Sequence, residues 1–393
     1  MGTRVISFLY IIYLARTLGV SDFGLLTVAL AYFSIVSSIA DFGFNRFLIR
    51  EVAKKKSRAP ELLWNIVFLR LFLTSLFFAI FSLALYLLDP DKVRVSLILL
   101  ATLAILPQSA ALTFDAIFVG FQKLQFSAIS IFISGLSTAL AGLILVGNGF
   151  GPTGAISALI FGQIIYILTL ILFLYKTKAL IFSPVNLSII KKALIGSLPY
   201  GILGILGLLY FRIDTVMLAY IKGSFETGIY GVAYKFLEAV TVIPSAFFAS
   251  IFPALAKMQT SDVAQVKRLY FKSLKIMVGL GILVLLGYIF VLPQIIKTLL
   301  PNYGLSIKAI MILSLSIPFM FAQVPGVGVL LSSDKYLKSV LWLSILTLSF
   351  NVILNLIFIP KYGYLAAAWV TVASEILTLL VFFNLLRIKV LAK

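Results

Sequence analysis

The sequence predicts an all-α integral membrane protein of about 12 transmembrane helices, laid out as two parallel-repeat lobes of six. Three observations carry that expectation. Of 393 residues, 62% are hydrophobic and 11% charged, whereas an ordinary soluble domain is roughly 45–50% apolar and about 25% charged. A water-soluble globule has no interior large enough for that much apolar surface. Apolar runs near the roughly 20 residues needed to cross a bilayer recur twelve times with short polar breaks between them. Finally, spaced glycine signatures recur in the two halves of the chain.

In chain order the expected spans are 2–18, 23–39, 62–88, 95–118, 126–146 and 155–175, then 193–221, 228–251, 276–299, 309–331, 339–359 and 367–386. The division that follows is an N-terminal lobe over 1–175, a cytoplasmic linker over 176–192 and a C-terminal lobe over 193–393. The first span is short and holds Arg4, which reads as a chain lacking residues upstream of Met1 or carrying a misassigned start. A cleaved signal peptide is disfavoured because no small-residue cleavage site follows. Residues 253–275 and 187–194 read as amphipathic helices lying on the cytoplasmic membrane surface.

Charge sets the orientation. Lys plus Arg number 32 against 13 Asp plus Glu, a net charge of +19. With the N-terminus cytoplasmic, 22 bases fall in inside segments and 7 outside, with Arg70, Arg212 and Lys235 left within spans. That asymmetry obeys the positive-inside rule, with both termini cytoplasmic in the cell membrane. The basic excess therefore acts on topology and lipid headgroups, and nucleic acid is not needed to explain it. The absence of Cys and His removes disulfides, iron–sulfur clusters, thiolate metal sites and imidazole ligands.

The repeat shows as Gly19/Gly223, Gly24/Gly228 and Ala29/Ala233, all 204 apart, and as Gly151/Gly363, 212 apart, which sets Gln163 opposite Glu375. Each half starts on the same side of the membrane, so the repeats are parallel, and transporters place their substrate path between such halves. Ionisable groups at membrane depth cost a few kcal/mol or more and mark cavities or partners. Arg212 and Asp214 lie in span seven, Lys235 and Glu238 three apart in span eight, Arg70 in span three, Asp115 in span four and Glu375 in span twelve. Arg16 ends span one, while Asp41 and Arg46 follow span two. One reading is a cationic cavity for a phosphate-bearing ligand, since guanidinium forks suit phosphate. The other is helix-locking pairs such as Arg212–Glu238 or Asp214–Lys235. For Arg46 and Arg70, snorkelling to inner headgroups is the expectation. No catalytic set, metal cluster or Walker sequence is legible, and the acidic outside loop around Asp89 and Asp91 reads as a turn.

Tyr13-Leu14-Ala15-Arg16-Thr17-Leu18-Gly19-Val20-Ser21-Asp22-Phe23-Gly24 resembles the opening of the polysaccharide-transport (Wzx-type) flippases. So do Ala40-Asp41-Phe42-Gly43-Phe44-Asn45-Arg46, Arg212-Ile213-Asp214, the segment Gly228 to Lys235, and Phe252-Pro253-Ala254-Leu255-Ala256. That resemblance implies a two-lobed fold of the MOP (MATE-like) superfamily, with no enzymatic activity. It implies translocation of a polyprenyl-pyrophosphate-linked oligosaccharide from the cytoplasmic to the outer leaflet by alternating access. The partners implied are that lipid-linked oligosaccharide, membrane lipids, and glycan polymerase or transferase proteins. Arg16, Arg46, Arg70, Arg212 and Lys235 would then face the anionic headgroup. Asp41, Asp214, Glu238 and Glu375 would orient those cations or couple to a proton or sodium gradient, with no other cofactor. The alternatives are a MATE-like cation-coupled multidrug exporter and, further off, a membrane glycan polymerase or transferase.

Overall fold

The structure, a computed structural model, describes residues 2–177, 181–258 and 263–391. Every regular element in it is helical. The first part of the chain forms α1 (Gly2–Leu18), α2 (Val20–Asp41), α3 (Phe44–Lys54), α4 (Ala59–Leu88), α5 (Lys92–Leu103), α6 (Ile105–Gly120), α7 (Leu124–Gly147), α8 (Gly151–Lys176) and α9 (Leu187–Lys222). The second part forms α10 (Ser224–Val240), α11 (Val242–Met258), α12 (Val263–Phe290), α13 (Leu292–Leu299), α14 (Ser306–Ser314), α15 (Ile317–Leu331) and α16 (Leu337–Leu386).

These helices account for the twelve expected spans. Among the described residues ten stretches are long and apolar enough to cross a membrane. The last of them breaks at Gly363, whose backbone is non-helical (φ 57°, ψ −138°), and so supplies two spans. α1, at 17 residues, supplies the remaining one. The chain is thus a multi-pass membrane protein. α4 shows why its helices are apolar all round. Leu62, Ile66, Leu69 and Arg70 point into protein, while Leu76, Ile80, Leu83 and Leu87 are exposed along a stripe suited to lipid.

Duplication is visible in the backbone. Gly19 (φ 76°, ψ 172°) and Gly223 (φ 84°, ψ −175°) begin α2 and α10 in the same conformation, one open essentially to glycine alone. Gly151 and Gly363 share φ values of 56° and 57°. Span four breaks at Ala104 between α5 and α6, and span ten breaks at Leu315–Ser316 between α14 and α15. Packing repeats too: α5 lies on α2 and α6 on α4, as α14 lies on α10 and α15 on α12. In the second half Glu226 accepts the Tyr364 N–H at 2.8 Å, clasping the start of α10 to the kink in α16.

The chain resolves into two compact units, Met1–Arg212 and Ile213–Lys393, whose boundary falls inside α9. Residues 187–212, which the sequence assigns to the linker and second lobe, group with the first unit. Ile189, Ala193 and Ser197 recur every fourth residue and are buried, and the first two join the core around Phe44, Leu48, Leu63 and Phe118. Upstream, Trp64 Nε1 donates to Ile181 O at 2.9 Å, and Asn65 Oδ1 accepts the Asn186 N–H at 2.6 Å. The expected surface helix at 187–194 is therefore the opening turns of a long continuous helix. The expected helix over 253–275 falls on the end of α11 and the start of α12, with residues 259–262 outside the described ones.

The basic stretch after span two contains a helix the sequence reading did not anticipate. α3 buries Phe44, Phe47, Leu48 and Val52 and leaves Arg46, Arg50 and Lys54 exposed. A tight turn separates it from α2, with Phe42 at φ 45° and Gly43 at φ 79°. A Cβ on Gly43 would also lie 2.5 Å from Ser197 O of α9. Gly149 has a comparable φ of 87° with nothing within 4 Å of such a Cβ. Gly149→Ala is therefore expected to cost about 1 kcal/mol, the backbone term alone. Gly43→Ala should cost about 3 kcal/mol, because overpacking against α9 adds to it. Thermal melting of the detergent-solubilised variants reads the difference.

Candidate functional site

In the first unit a polar cluster at membrane depth forms around Arg70, with Asp41 as its acidic partner. Arg70 is 1% exposed. Its guanidinium donates to Asp41 Oδ1 at 2.5 Å, to Asn45 Oδ1 at 2.9 Å and to Thr113 Oγ1 at 3.2 Å. Those partners come from the end of α2, the first turn of α3 and the middle of α6, so one side chain of α4 ties three other helices together. Arg70 thus does not snorkel to headgroups: a buried guanidinium is tolerable when paired and hydrogen-bonded, and the turn at Phe42-Gly43 delivers both Asp41 and Asn45 to it. Arg46 is exposed and lies over the Tyr200 ring at 6.0 Å. Arg16 is exposed at the end of α1. Asp115, two residues along α6 from Thr113, is partly buried.

A second polar centre lies wholly within the second unit, around Asp214 in α9. Its carboxylate accepts the Thr215 N–H at 2.7 Å and the Tyr230 hydroxyl, and Thr371 Oγ1 lies 3.4 Å away. Asp214, Tyr230 and Thr371 are all at most 5% exposed. One turn along α16 from Thr371, Glu375 accepts Gln323 Nε2 at 2.7 Å. On the same side Asn351 donates to Ser374 at 3.2 Å and Asn355 to Asn351 at 2.9 Å. Lys235 pairs with Glu238 at 2.8 Å within α10 and α10's last turn, both partly buried. Arg212, also partly buried, ends the first unit.

The structure therefore joins Asp41 with Arg70 and Lys235 with Glu238, and sets Asp214 and Glu375 in neighbouring hydrogen-bond sets on α16. Reading by charge alone missed the neutral members: Asn45, Thr113, Tyr230, Gln323, Asn351, Asn355, Thr371 and Ser374. The signal was present as polar residues at helical spacing inside apolar runs, as in Asn351 and Asn355 or Thr371 and Glu375. Among the described residues no group of three or more acidic, His or Cys side chains gathers to hold a metal ion. The acidic loop between α4 and α5 is a tight connection built on its own side chains. Asp89 is buried against Arg94, with bonds of 2.5 and 2.8 Å, and Asp91 caps α5 through the Val93 and Arg94 N–H groups.

Because Arg70 is the more buried partner, breaking its pair from the Asp41 side leaves an uncompensated charge. Asp41→Asn is expected to destabilise by about 3 kcal/mol, as for other broken buried pairs. The double change Asp41→Leu with Arg70→Met should recover most of that loss in thermal melts. Equal melting of parent and Asp41→Asn would show that the pair does not support the fold.

Residues 1–259 match the family described as polysaccharide biosynthesis protein. "Probable flippase AglR" of Haloferax volcanii is 25% identical over 268 residues, which is 65% of this chain and 53% of that protein. The chain spans about half the length of the relatives it matches. Among solved structures, it resembles an inward-facing MATE family transporter of the MOP superfamily, with TM-score 0.76 and 16% identity over 97% of this chain and 94% of that one. It also resembles the lipid II flippase MurJ, with TM-score 0.74 and 16% identity over 98% and 86% of the two chains. At such identities the likeness establishes a shared fold alone.

Proposed function

The chain belongs to the polysaccharide biosynthesis protein family, and we propose that it is a flippase for a polyprenyl-pyrophosphate-linked oligosaccharide rather than an enzyme. The observation that carries this reading is the placement of cations at membrane depth on a MOP fold. Arg212 and Lys235 are partly buried within spans seven and eight, where an ionised side chain costs a few kcal/mol or more unless it serves a ligand or a partner. A pyrophosphate offers such a ligand, and a guanidinium can grip it with paired hydrogen bonds. Arg16 and Arg46, both exposed, would meet the headgroup on its way in or out.

In this mechanism the chain's cations replace the water lost by the pyrophosphate as it leaves the cytoplasmic leaflet, and the polyprenyl tail stays in lipid. Asp214 and Glu238 hold those cations in place or take up a coupling proton or sodium ion, and the termini face the cytoplasm. Net transfer outward is helped by an inside-negative potential, worth about 2.3 kcal/mol per charge per 100 mV. Glu238 lies 2.8 Å from Lys235, so cation and acid can respond together when the headgroup arrives and leaves. The relatedness to a protein described as a flippase supports the same reading.

Arg212→Ala and Lys235→Ala, expressed at parental levels, are each expected to cut glycan export at least tenfold, the loss of roughly one charge-assisted contact. Export is measured as outer-leaflet glycan in cells lacking their own flippase. Unchanged export in both variants would remove these residues from the mechanism.

A further inference from the structure

A cavity of about 420 Å³ opens on the first unit, lined by Phe47, Arg50, Glu51 of α3 and Ser188, Lys191, Lys192 of α9, with Ile195 and Gly196 beyond. We propose that it holds the phosphate-bearing headgroup of an anionic phospholipid, whose acyl chain runs along the exposed face of α9. The site is separate from the intramembrane cations above and does not depend on which cargo is carried.

Three features argue for it. The first is charge: three cations line the cavity against one carboxylate, and Lys54, at 2.9 Å, neutralises that carboxylate from outside. The Lys54 ammonium holds the Glu51 carboxyl below its ordinary range, so it stays ionised and paired. Arg50 is oriented by donating from Nη1 to the Tyr200 hydroxyl at 3.3 Å and by its Nε lying 3.8 Å from Glu51 Oε1, and its Nη2 can still donate to a phosphate. The attraction does not come from bare helix amides, because Asn186 Oδ1 already accepts the Ser188 N–H at 2.9 Å.

The second feature is size. At about 420 Å³ the cavity is large enough for a glycerophosphate. The third is an apolar flank, which tells a lipid from a free phosphate. Ile195, Leu198 and Ile202 follow Lys191 and Lys192 on one helical face and are 65%, 44% and 37% exposed. From Lys191 to Ile202 the helix rises about 16 Å at 1.5 Å per residue, roughly one leaflet of a bilayer's hydrocarbon. Cation above and apolar stripe below match a molecule that is anionic at one end and greasy at the other.

The test uses the purified chain in nanodiscs, with bound lipid counted by native mass spectrometry after mild delipidation. Phosphatidylglycerol and phosphatidylcholine with identical chains are titrated separately. Retention of phosphatidylglycerol over phosphatidylcholine is expected. Lys191→Gln with Lys192→Gln should weaken it roughly thirtyfold, about fivefold per lysine removed. Lys191→Arg with Lys192→Arg should keep it, as should Lys55→Gln with Lys56→Gln, which remove as much charge elsewhere. Both lysine pairs lie at exposed positions. Millimolar inorganic phosphate should not compete. Equal retention by the parent and the Lys191/Lys192 glutamine pair, an equal loss in the Lys55/Lys56 pair, or displacement by inorganic phosphate would overturn the proposal.

Discussion

The fold depends on one constraint: a polar group at membrane depth must find its partner inside the protein, because hydrocarbon offers none. Arg70 meets it with three acceptors from three helices. Asp214 meets it with a backbone N–H and a tyrosine hydroxyl, and Glu375 with a glutamine amide. Each solution crosses between helices, so each fixes how those helices pack. Apolar contact alone, with lipid tails as apolar as leucine, would not specify one arrangement. The motif around Asp41, Gly43 and Asn45 is best understood in this light. Its glycine permits a turn against α9, and the turn carries both partners to Arg70.

Duplication supplies the frame on which these centres diverge. The same glycine conformations start α2 and α10, and the same breaks divide spans four and ten. On that shared backbone, the first unit builds a centre around a guanidinium. The second builds one around carboxylates held by hydroxyl and amide donors. Gln163 in one half stands where Glu375 stands in the other, so repeat-related positions have taken different charge.

Much of this was legible in the sequence. Twelve apolar runs and the repeat glycines mark a duplicated membrane fold, because burial in lipid imposes length and composition directly. Three things were not. α3 is masked in the sequence by the six bases in and beside it, although Phe44, Phe47, Leu48 and Val52 carry a helical period. The fate of Arg70 was misread because snorkelling depends on which way a side chain points, and Asn45 and Thr113 are distant in sequence. The boundary at Arg212 was hidden because Ile189, Ala193 and Ser197 reveal their burial only once the first unit's core is assembled. Neutral polar residues on apolar helices were the most informative signal left unused.

The central claim is that intramembrane cations carry an anionic lipid headgroup across the bilayer. It is met most directly by reconstituting the parent chain in liposomes and following the leaflet position of two fluorescent polyprenyl glycans, one pyrophosphate-linked and one uncharged, under an imposed potential. The account predicts fast transfer of the charged lipid, accelerated when the destination side is positive, and little transfer of the uncharged one. Equal transfer of both lipids, or none of either alongside exchange of an organic cation, would contradict it.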